Sequence, residues 1–438
     1  TLAAGADDVL SLVIDGERTG GVITAQRQHL SKALLRLGEG ADEAEMLEIA
    51  GSDVQDAALL FRYLGRLRRV GLLVADLWSR DRLMATLLPR LRDFDPVVPI
   101  EGSGPWQLSR FAYWRRDGND LVLECPEAPC AVTLKSPDFI TWISEAAQPI
   151  AAEHGTPKAS LMTLLAGLAF LVDPERQESS AERSWEFHDR LFYRRARKFD
   201  DFQAHGGTYR FRDLFPSPPA IRPAYAGETV ALPKPKVGAS HALSEVMKSR
   251  RSTREMGSRP VGIEEVSTLL HRVARVKETM PTSPQNCLLR PYPSSGAVHE
   301  LEFYLAAGSC DGLAPSLYHY RGAEHALTRI AGAEPSAKEM LADCAARSAR
   351  SGQPPQCLIV LSSRLPRLAW KYEAIAGKLS LLNAGVVLQS LYLVCTDLGL
   401  NGCAVGSSRP DLFEAAIKTS TWEETIIAEF GFGSRPDP

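Results

Sequence analysis

The 438-residue sequence has no excess of charge of either sign: 50 Lys and Arg stand against 53 Asp and Glu, a formal net charge of −3. It therefore lacks the global electrostatic footprint of a nucleic-acid or anionic-membrane binder, and neither partner is expected. Cysteine is sparse and scattered. None of the eight (Cys125, Cys130, Cys287, Cys310, Cys344, Cys357, Cys395, Cys403) forms a CxxC pair or a Cys/His spacing suited to zinc. No metal site is expected, and reduced thiols of a cytoplasmic protein are. The longest strongly apolar run, Leu161 to Val172, falls short of the ~18 residues a membrane span needs. The opening Thr-Leu-Ala-Ala-Gly has no basic head before an apolar stretch, so export is not expected. What is present is ordinary globular composition, 45% hydrophobic and 24% charged, in a chain long enough for several domains of ~100–200 residues.

The pattern along the chain falls into four parts. In residues 1–90 a strand, Val9 to Ile14, runs into a polar turn, then Gln26 to Leu37 and Val54 to Val70 show apolar residues at helical spacing. In 105–175 a strand, turn and strand surround Asp117-Gly118, followed by Ala131 to Leu134 and helices near Pro137 to Ala147 and Ser160 to Leu171. Gly167-Leu168-Ala169-Phe170-Leu171-Val172 parallels Arg69-Val70-Gly71-Leu72-Leu73, so the two parts read as tandem winged-helix-like domains. Arg66, Arg68 and Arg69 have no accompanying basic arm and read as a solvated face, which leaves peptide binding by strand addition as the better use of such a module. Residues 176–238, rich in Arg, Pro and aromatics and ending in Pro233-Lys234-Pro235-Lys236, read as a linker segment.

From 239 to 438 the chain reads as a mixed α/β domain. Leu301 to Ala306 and Cys357 to Leu361 are expected strands, with Phe430 to Gly433 as a last short one. Lys378 to Gly399 is an expected helix, apolar on most sides, with Leu379, Leu382, Val386, Leu388, Leu391 and Val394 as candidates for burial in the domain or at an oligomer interface.

Four constellations in this domain could carry chemistry. Ser249-Arg250-Arg251-Ser252-Thr253-Arg254 supplies guanidiniums and hydroxyls matched to a phosphate, or is a solvated basic helix end. Arg290-Pro291-Tyr292-Pro293-Ser294-Ser295-Gly296-Ala297 offers backbone N–H groups and hydroxyls to a flat or anionic ligand. Gly399 to Gly406 offers small residues against which a ring could lie. Finally, Trp370-Lys371-Tyr372 sits between a strand and the apolar helix, where a Lys beside a Tyr can share a proton. Adjacent residues point apart on a helix, so both can serve one site only on a turn.

Taken in order, Ser-Arg-Arg-Ser-Thr-Arg (249–254), Pro-Ser-Ser-Gly-Ala (293–297), Trp-Lys-Tyr (370–372), the helix from Asn383-Ala384-Gly385 to Gly399-Leu400-Asn401, and Gly402 to Gly406 resemble the SagB/McbC-type azoline dehydrogenases of the nitroreductase superfamily. Trp185 to Asp189 and Gly206-Gly207-Thr208-Tyr209-Arg210 resemble the segment ahead of that domain in longer members. The resemblance implies an α+β fold, with a nitroreductase-like FMN domain of mixed sheet and flanking helices preceded by the tandem winged-helix-like domains. It implies FMN as cofactor, with its phosphate and ring edge held by Arg250, Arg251, Ser252, Arg254 and Arg435. Val405 and Gly406 would lie against the ring, and Pro293, Ser294, Ser295 and Gly296 would reach it from the partner of a homodimer. Lys371 and Tyr372 match the dyad that oxidises a peptide thiazoline or oxazoline to the thiazole or oxazole.

In such a ring the Cα–H is acidified by imine and carbonyl, so a base, Lys371 or Tyr372, can remove it while FMN takes the electrons and oxygen restores the cofactor. The implied partners are an azoline-bearing peptide whose leader is held by the N-terminal domains, and a cyclodehydratase. Two departures stand out. His299-Glu300 follow Gly-Ala-Val where an aromatic-Pro pair is frequent, and Asn383 and Val386 stand where an acidic residue and a His are frequent. His299 is an extra acid/base group or, as expected here, a hydrogen-bonded strand-end histidine. The competing readings are an NAD(P)H-dependent reductase of small electrophiles and a non-catalytic peptide scaffold.

Overall fold

The computed structural model describes residues 28–51, 53–92, 94, 104–197, 204, 206–235, 240–347 and 353–437, together with the backbone of three N-terminal strands. It divides into two compact units, 1–203 and 204–438.

The first unit opens with β1 (Leu2–Ala4), β2 (Val9–Ile14) and β3 (Glu17–Thr24), an antiparallel sheet in that order. Helices α1 (Gln28–Arg36), α2 (Glu43–Ala50) and α3 (Val54–Arg69) follow. Asp42 and Asp53 cap α2 and α3, each accepting a backbone N–H, as short polar side chains do at N-caps. Leu60, Tyr63, Leu64 and Leu67 of α3 meet Leu30, Leu34 and Met46 in one small core.

The hairpin β4 (Ala75–Ser79) and β5 (Arg82–Pro89) leads to β6 (Gln107–Leu108), β7 (Tyr113–Asp117), β8 (Asp120–Glu124) and β9 (Cys130–Leu134). Five of these strands form a sheet in the order β4-β5-β9-β8-β7. Pairing of β5 with β9 makes one sheet of the segments 1–90 and 105–175. Helices α4 (Pro137–Glu145) and α5 (Pro157–Gly167), then β10 (Leu171–Val172), α6 (Ser180–Arg183) and α7 (Phe187–Arg195), complete the unit. The sequence parallel between 69–73 and 167–172 is a shared helix ending. Leu72 N bonds Leu67 O and Gly71 N bonds Arg68 O; Phe170 N bonds Leu165 O and Ala169 N bonds Ala166 O, with Gly71 and Ala169 left-handed. Beyond that ending the chains diverge, one into the β4–β5 hairpin and the other into a pairing of β10 with β6.

The second unit contains β11 (Thr229–Ala231), α8 (Leu243–Ser249), β12 (Val261–Gly262), α9 (Ile263–Ala274), β13 (Glu278–Met280), β14 (Cys287–Leu289), β15 (Leu301–Ala307) and β16 (Cys310–Asp311). It continues with β17 (Ser316–Arg321), β18 (Ala326–Arg329), α10 (Glu334–Arg347), β19 (Cys357–Ser363), α11 (Leu365–Ala369), α12 (Ala376–Asp397), β20 (Asn401–Val405), α13 (Pro410–Ile417) and β21 (Thr425–Gly433). Seven strands pair as β11-β18-β17-β15-β19-β21-β20. One face, with Phe303, Leu305, Ile359 and Phe430, packs on α9 and α12. The other, with Tyr304, Ala306, Leu358 and Val360, packs on α10 and α13. Because both faces are covered, β15 and β19 are buried at every position, and they are apolar but for Glu302 in β15 and Ser362 and Ser363 at the end of β19.

Residues 176–238, read as a linker, are divided between the units. Residues 180–195 form α6 and α7 in the first, whereas Phe215 to Arg222 pack on the second through buried arginines: Arg364 donates to Pro219 O and Arg367 to Pro218 O. Prolines keep this segment out of helix and sheet, and side-chain donors satisfy their carbonyls instead. The expected boundary near 238 lies outside the described residues.

The buried face of α12 also differs from expectation. Ala376, Ser380, Asn383, Ala384, Val387, Leu391 and Cys395 are buried, while Leu381, Leu382 and Val386 are exposed at 53%, 56% and 37%. Among the described residues α12 is the one helix long and apolar enough to cross a membrane, and its inner stripe is part of the domain core.

Candidate functional site

At the end of α11 the chain makes a turn in which Lys371 N and Tyr372 N both bond Leu368 O, at 3.1 and 2.9 Å. Adjacent side chains that would diverge along a helix are thereby brought to one place. Lys371 Nζ donates to Gly296 O at 3.2 Å. A Cβ placed on Gly296 would lie 2.4 Å from Tyr372 Oη and 2.5 Å from Lys371 Nζ. Both reactive atoms thus converge on one bare backbone position, and both side chains are half-buried.

The turn is fixed from behind. Trp370 is buried, donates its indole N–H to Phe215 O at 3.0 Å and meets the Tyr209 ring edge-on. Thr208 N bonds Lys371 O at 2.9 Å, and Lys371 Nζ lies 5.7 Å from the Tyr209 ring centroid. Arg367, fully buried, donates to the carbonyls of Val298, Pro218 and Asn286. Burial, reinforced by Arg364, lowers its pKa to about 10, so it stays a cation at neutral pH. Arg367 and Tyr209 are supports that sequence motifs alone did not assign a role.

Opposite the dyad, the turn at Ser294 to Val298 is held by Asn383 of α12, whose Oδ1 accepts from Ser295 N and Oγ, both at 3.1 Å. Gly296 thus borders Lys371 and Tyr372 within the same chain, while Ser294 and Ser295 beside it are tied to Asn383. His299 is buried, and burial together with Arg290 and Arg367 lowers its pKa to about 3. Its Nδ1 has no hydrogen-bond partner among the described residues and its ring meets Tyr292 edge-on, so it is a neutral packing residue with one unmet nitrogen.

The basic motif collects elsewhere. Ser252 Oγ lies 3.0 Å from Tyr392 Oη, and the Arg250 guanidinium lies 5.3 Å from the Tyr392 ring centroid. Tyr392 Oη also accepts from Ala404 N, and Thr253 N bonds Gly402 O, so the motif is laid along β20, which ends at Val405. Arg435 reaches the last turn of α12, 3.5 Å from Thr396 O. Arg251 and Ser252 are exposed, and among the described residues neither Arg250 nor Arg251 pairs with a carboxylate. Gly406 has open space where a side chain would stand.

These donors fit a phosphate, and half-buried Val405 beside open Gly406 fits the face of a planar ring, which is what FMN requires. One chain thus has two clusters along α12: 293–296 with 371–372 near Asn383, and 250–254 with 405–406 and 435 near Tyr392. Asn383 and Tyr392, which anchor them, lie about 14 Å apart along the helix axis and half a turn round it, at 1.5 Å per residue and 3.6 residues per turn.

Glu429 was not singled out from the sequence. It lies on β21 opposite Val405, fully buried, with Arg347 at 3.3 Å, and burial raises its pKa to about 7. A lone carboxylate inside the apolar run Ile426 to Phe430 was the available signal.

The first unit holds a separate groove of about 850 Å³. From 71 to 78 accessibility alternates, and the outward positions are Leu72, Val74, Asp76 and Trp78, so an edge strand shows an apolar face where polar residues are usual. Asp42, Glu43, Arg68 and Asp76 line it too, with Arg68 paired to Glu43, Asp42 capping α2 and Asp76 accepting from Thr86 Oγ1.

Comparison with known proteins agrees with the second unit's architecture. Residues 247–433 match the nitroreductase family, and residues 106–200 match the cyanobactin oxidase ThcOx family. A Methanocaldococcus jannaschii protein whose name places it among the nitroreductases is 27% identical over 181 residues, 41% of this chain and 86% of that protein. Among solved structures, the E. coli microcin synthetase McbBCD complex with truncated pro-MccB17 covers 53% of this chain and 89% of its own, at 17% identity and TM-score 0.35. An FMN-dependent nitroreductase of Clostridium difficile R20291 covers 44% of this chain and 87% of its own, at 12% identity and TM-score 0.28. The second unit is a nitroreductase-family domain. The segment ahead of it, 106–200, is similar to the cyanobactin oxidase family, in keeping with the resemblance its motifs carry.

Proposed function

We propose that the chain is an FMN-dependent dehydrogenase that converts thiazolines or oxazolines of a ribosomal or carrier-bound peptide to thiazoles or oxazoles. The observation that carries this reading is the convergence of Lys371 Nζ and Tyr372 Oη on Gly296. A reductase that passes electrons to a small electrophile has no use for a paired amine and phenol at one point. An azoline has, because its acidified Cα–H must lose a proton.

FMN supplies the two-electron acceptance, with oxygen as final acceptor. Arg250, Arg251, Ser252, Arg254 and Arg435 hold its phosphate and ring edge, and Val405 and Gly406 face its ring. Lys371 or Tyr372 takes the Cα proton. Gly296 O orients the amine, and the Trp370–Tyr209 pair shields it. The test is an absorption spectrum, then an azoline-bearing peptide in air. A flavin spectrum and a loss of about 2 Da per ring, the mass of two hydrogens, is expected. Bleaching by NAD(P)H without mass change would favour the small-molecule reductase, and a protein that takes up no FMN would favour a scaffold.

The peptide leader is assigned to the groove of the first unit. An extended segment adding to the edge of β4, unpaired among the described residues, would lay apolar side chains on Leu72, Val74 and Trp78 and a basic one near Asp76. Trp78→Ser with Asp76→Lys is expected to raise KM for a leader-bearing peptide about tenfold, and to leave kcat and leader-free peptides unmoved. The substrate must come from a cyclodehydration of Cys, Ser or Thr side chains onto the backbone, so a cyclodehydratase is the expected partner.

A further inference from the structure

Three of the four residues from Gly296 to His299 are left-handed: Gly296 at φ 59°, Ala297 at 55° and His299 at 50°. For Ala and His that conformation costs about 1 kcal/mol or more each. Such a turn persists only where its surroundings over-determine it.

Besides Arg367 on Val298 O and Lys371 on Gly296 O, two residues surround it from α12 and β15's start. Asn383 uses both ends of its amide: Oδ1 accepts from Ser295 N and Oγ, and Nδ2 donates to both oxygens of Glu300 at 3.0 Å and to Ser294 Oγ at 3.2 Å. Ser294 Oγ in turn accepts from His299 N at 3.1 Å. Glu300 is fully buried and, among the described residues, has no ion-pair partner. Its carboxyl is held by amide and hydroxyl donors alone, and burial raises its pKa. The acid also fixes which way the amide faces, since reversing Asn383 would set its carbonyl against the carboxylate and its NH₂ against Ser295 N–H.

We propose that Glu300 and Asn383 are positioning residues of the Lys371–Tyr372 site. The acid orients the amide, the amide holds the left-handed turn, and the turn's Gly296 carbonyl holds the Lys371 amine. The proposal rests on the reading of Lys371 and Tyr372 as the reacting pair, but its structural content can be measured without turnover.

The pair can be swapped. Asn383→Asp alone sets two buried carboxyls against each other, whereas Glu300→Gln with Asn383→Asp returns an amide–carboxyl pair in the opposite sense. In the swapped protein the carboxyl on α12 accepts both from Ser295 and from the new amide at position 300. The full-length protein is labelled with trace acetic anhydride, and the rate at Lys371 is compared by peptide mapping with exposed Lys338 and Lys418 in the same sample. Melting temperature is followed alongside.

Asn383→Asp is expected to raise Lys371 labelling about fivefold or more and to lower kcat for an azoline peptide about 100-fold, the scale of loss for a ~1 Å misplacement. The swap is expected to bring labelling back to within about twofold of the parent, the coupling that neighbouring residues of one network show. Parent-like labelling in Asn383→Asp, or a swap variant no better than that single variant, overturns the proposal. If Asn383→Asp does not fold, the swap variant alone decides: parent-like labelling supports the proposal and raised labelling overturns it. A parent that oxidises no azoline while the labelling pattern holds would overturn the functional reading and leave the positioning intact.

Discussion

At the scale of single residues, Gly296 is the sharpest case. Its φ of 59° favours glycine, and a Cβ there would stand 2.4 Å from Tyr372 Oη. Gly296→Ala is expected to push the Lys371 amine and Tyr372 hydroxyl aside and to lower azoline turnover about 100-fold, while costing only about 1 kcal/mol of stability. Steady-state kinetics beside a melting curve checks this; an unchanged kcat would mean that the pair does not act from where it sits.

Glu429 gives a pH-dependent expectation. Its folded pKa of about 7 lies above the unfolded value of 4.5, so between those limits the folded state binds more protons than the unfolded one. Stability from this group is full below about pH 4.5 and is lost as pH rises to about 7. Glu429→Gln should therefore stabilise the protein more at pH 8 than at pH 5, by an amount on the order of 1–3 kcal/mol. Melting temperatures at the two pH values measure it, and equal shifts would count against a neutral Glu429. The dyad itself was legible because Lys371 and Tyr372 are adjacent in sequence. Glu300 and Asn383 were visible only as departures from a pattern, since 83 positions separate two side chains that share a hydrogen bond.

At the scale of elements, legibility followed how many faces an element buries. Helix α3 has one buried face, and its apolar spacing located it to within a residue. Strands β15 and β19 are covered on both sides and announced themselves as largely apolar runs, broken by Glu302 in the first and closed by Ser362-Ser363 in the second. Helix α12 could be placed but not oriented, because Leu, Val and Ala occur all round it. Its buried stripe includes Ser380, Asn383 and Ala384 beside Val387 and Leu391, and leaves Leu381 and Leu382 outside. Helix α13 offers an element-level test. It ends on Lys418, left-handed at φ 55° and exposed, a position that favours glycine. Lys418→Gly is expected to stabilise the second unit by about 1 kcal/mol, read as a higher melting temperature; a loss would mean that the lysine side chain contributes more than the strain costs.

At the scale of the whole molecule, the two clusters along α12 pose a geometric question. About 14 Å separates the Asn383 end from the Tyr392 end on one helix, so the loop 293–296 and the basic motif of one chain do not form a single compact cluster. A second copy resolves this if its own 293–296 loop and dyad meet the first copy's Arg250 to Arg254 and Val405. The exposed Leu381, Leu382 and Val386 on α12 supply an apolar surface for such pairing, since a stripe of this kind seldom faces water without function. Leu382→Glu with Val386→Glu would place two carboxylates at each copy's side of that contact. The variant is expected to sediment as a monomer, to keep a cooperative melt, and to lose FMN at least about tenfold more readily, because four of the eleven expected flavin contacts, Pro293 to Gly296, would come from the other copy. A variant that becomes monomeric yet retains flavin as tightly as the parent would show that one chain assembles the site alone. One that stays dimeric would move the interface off this stripe.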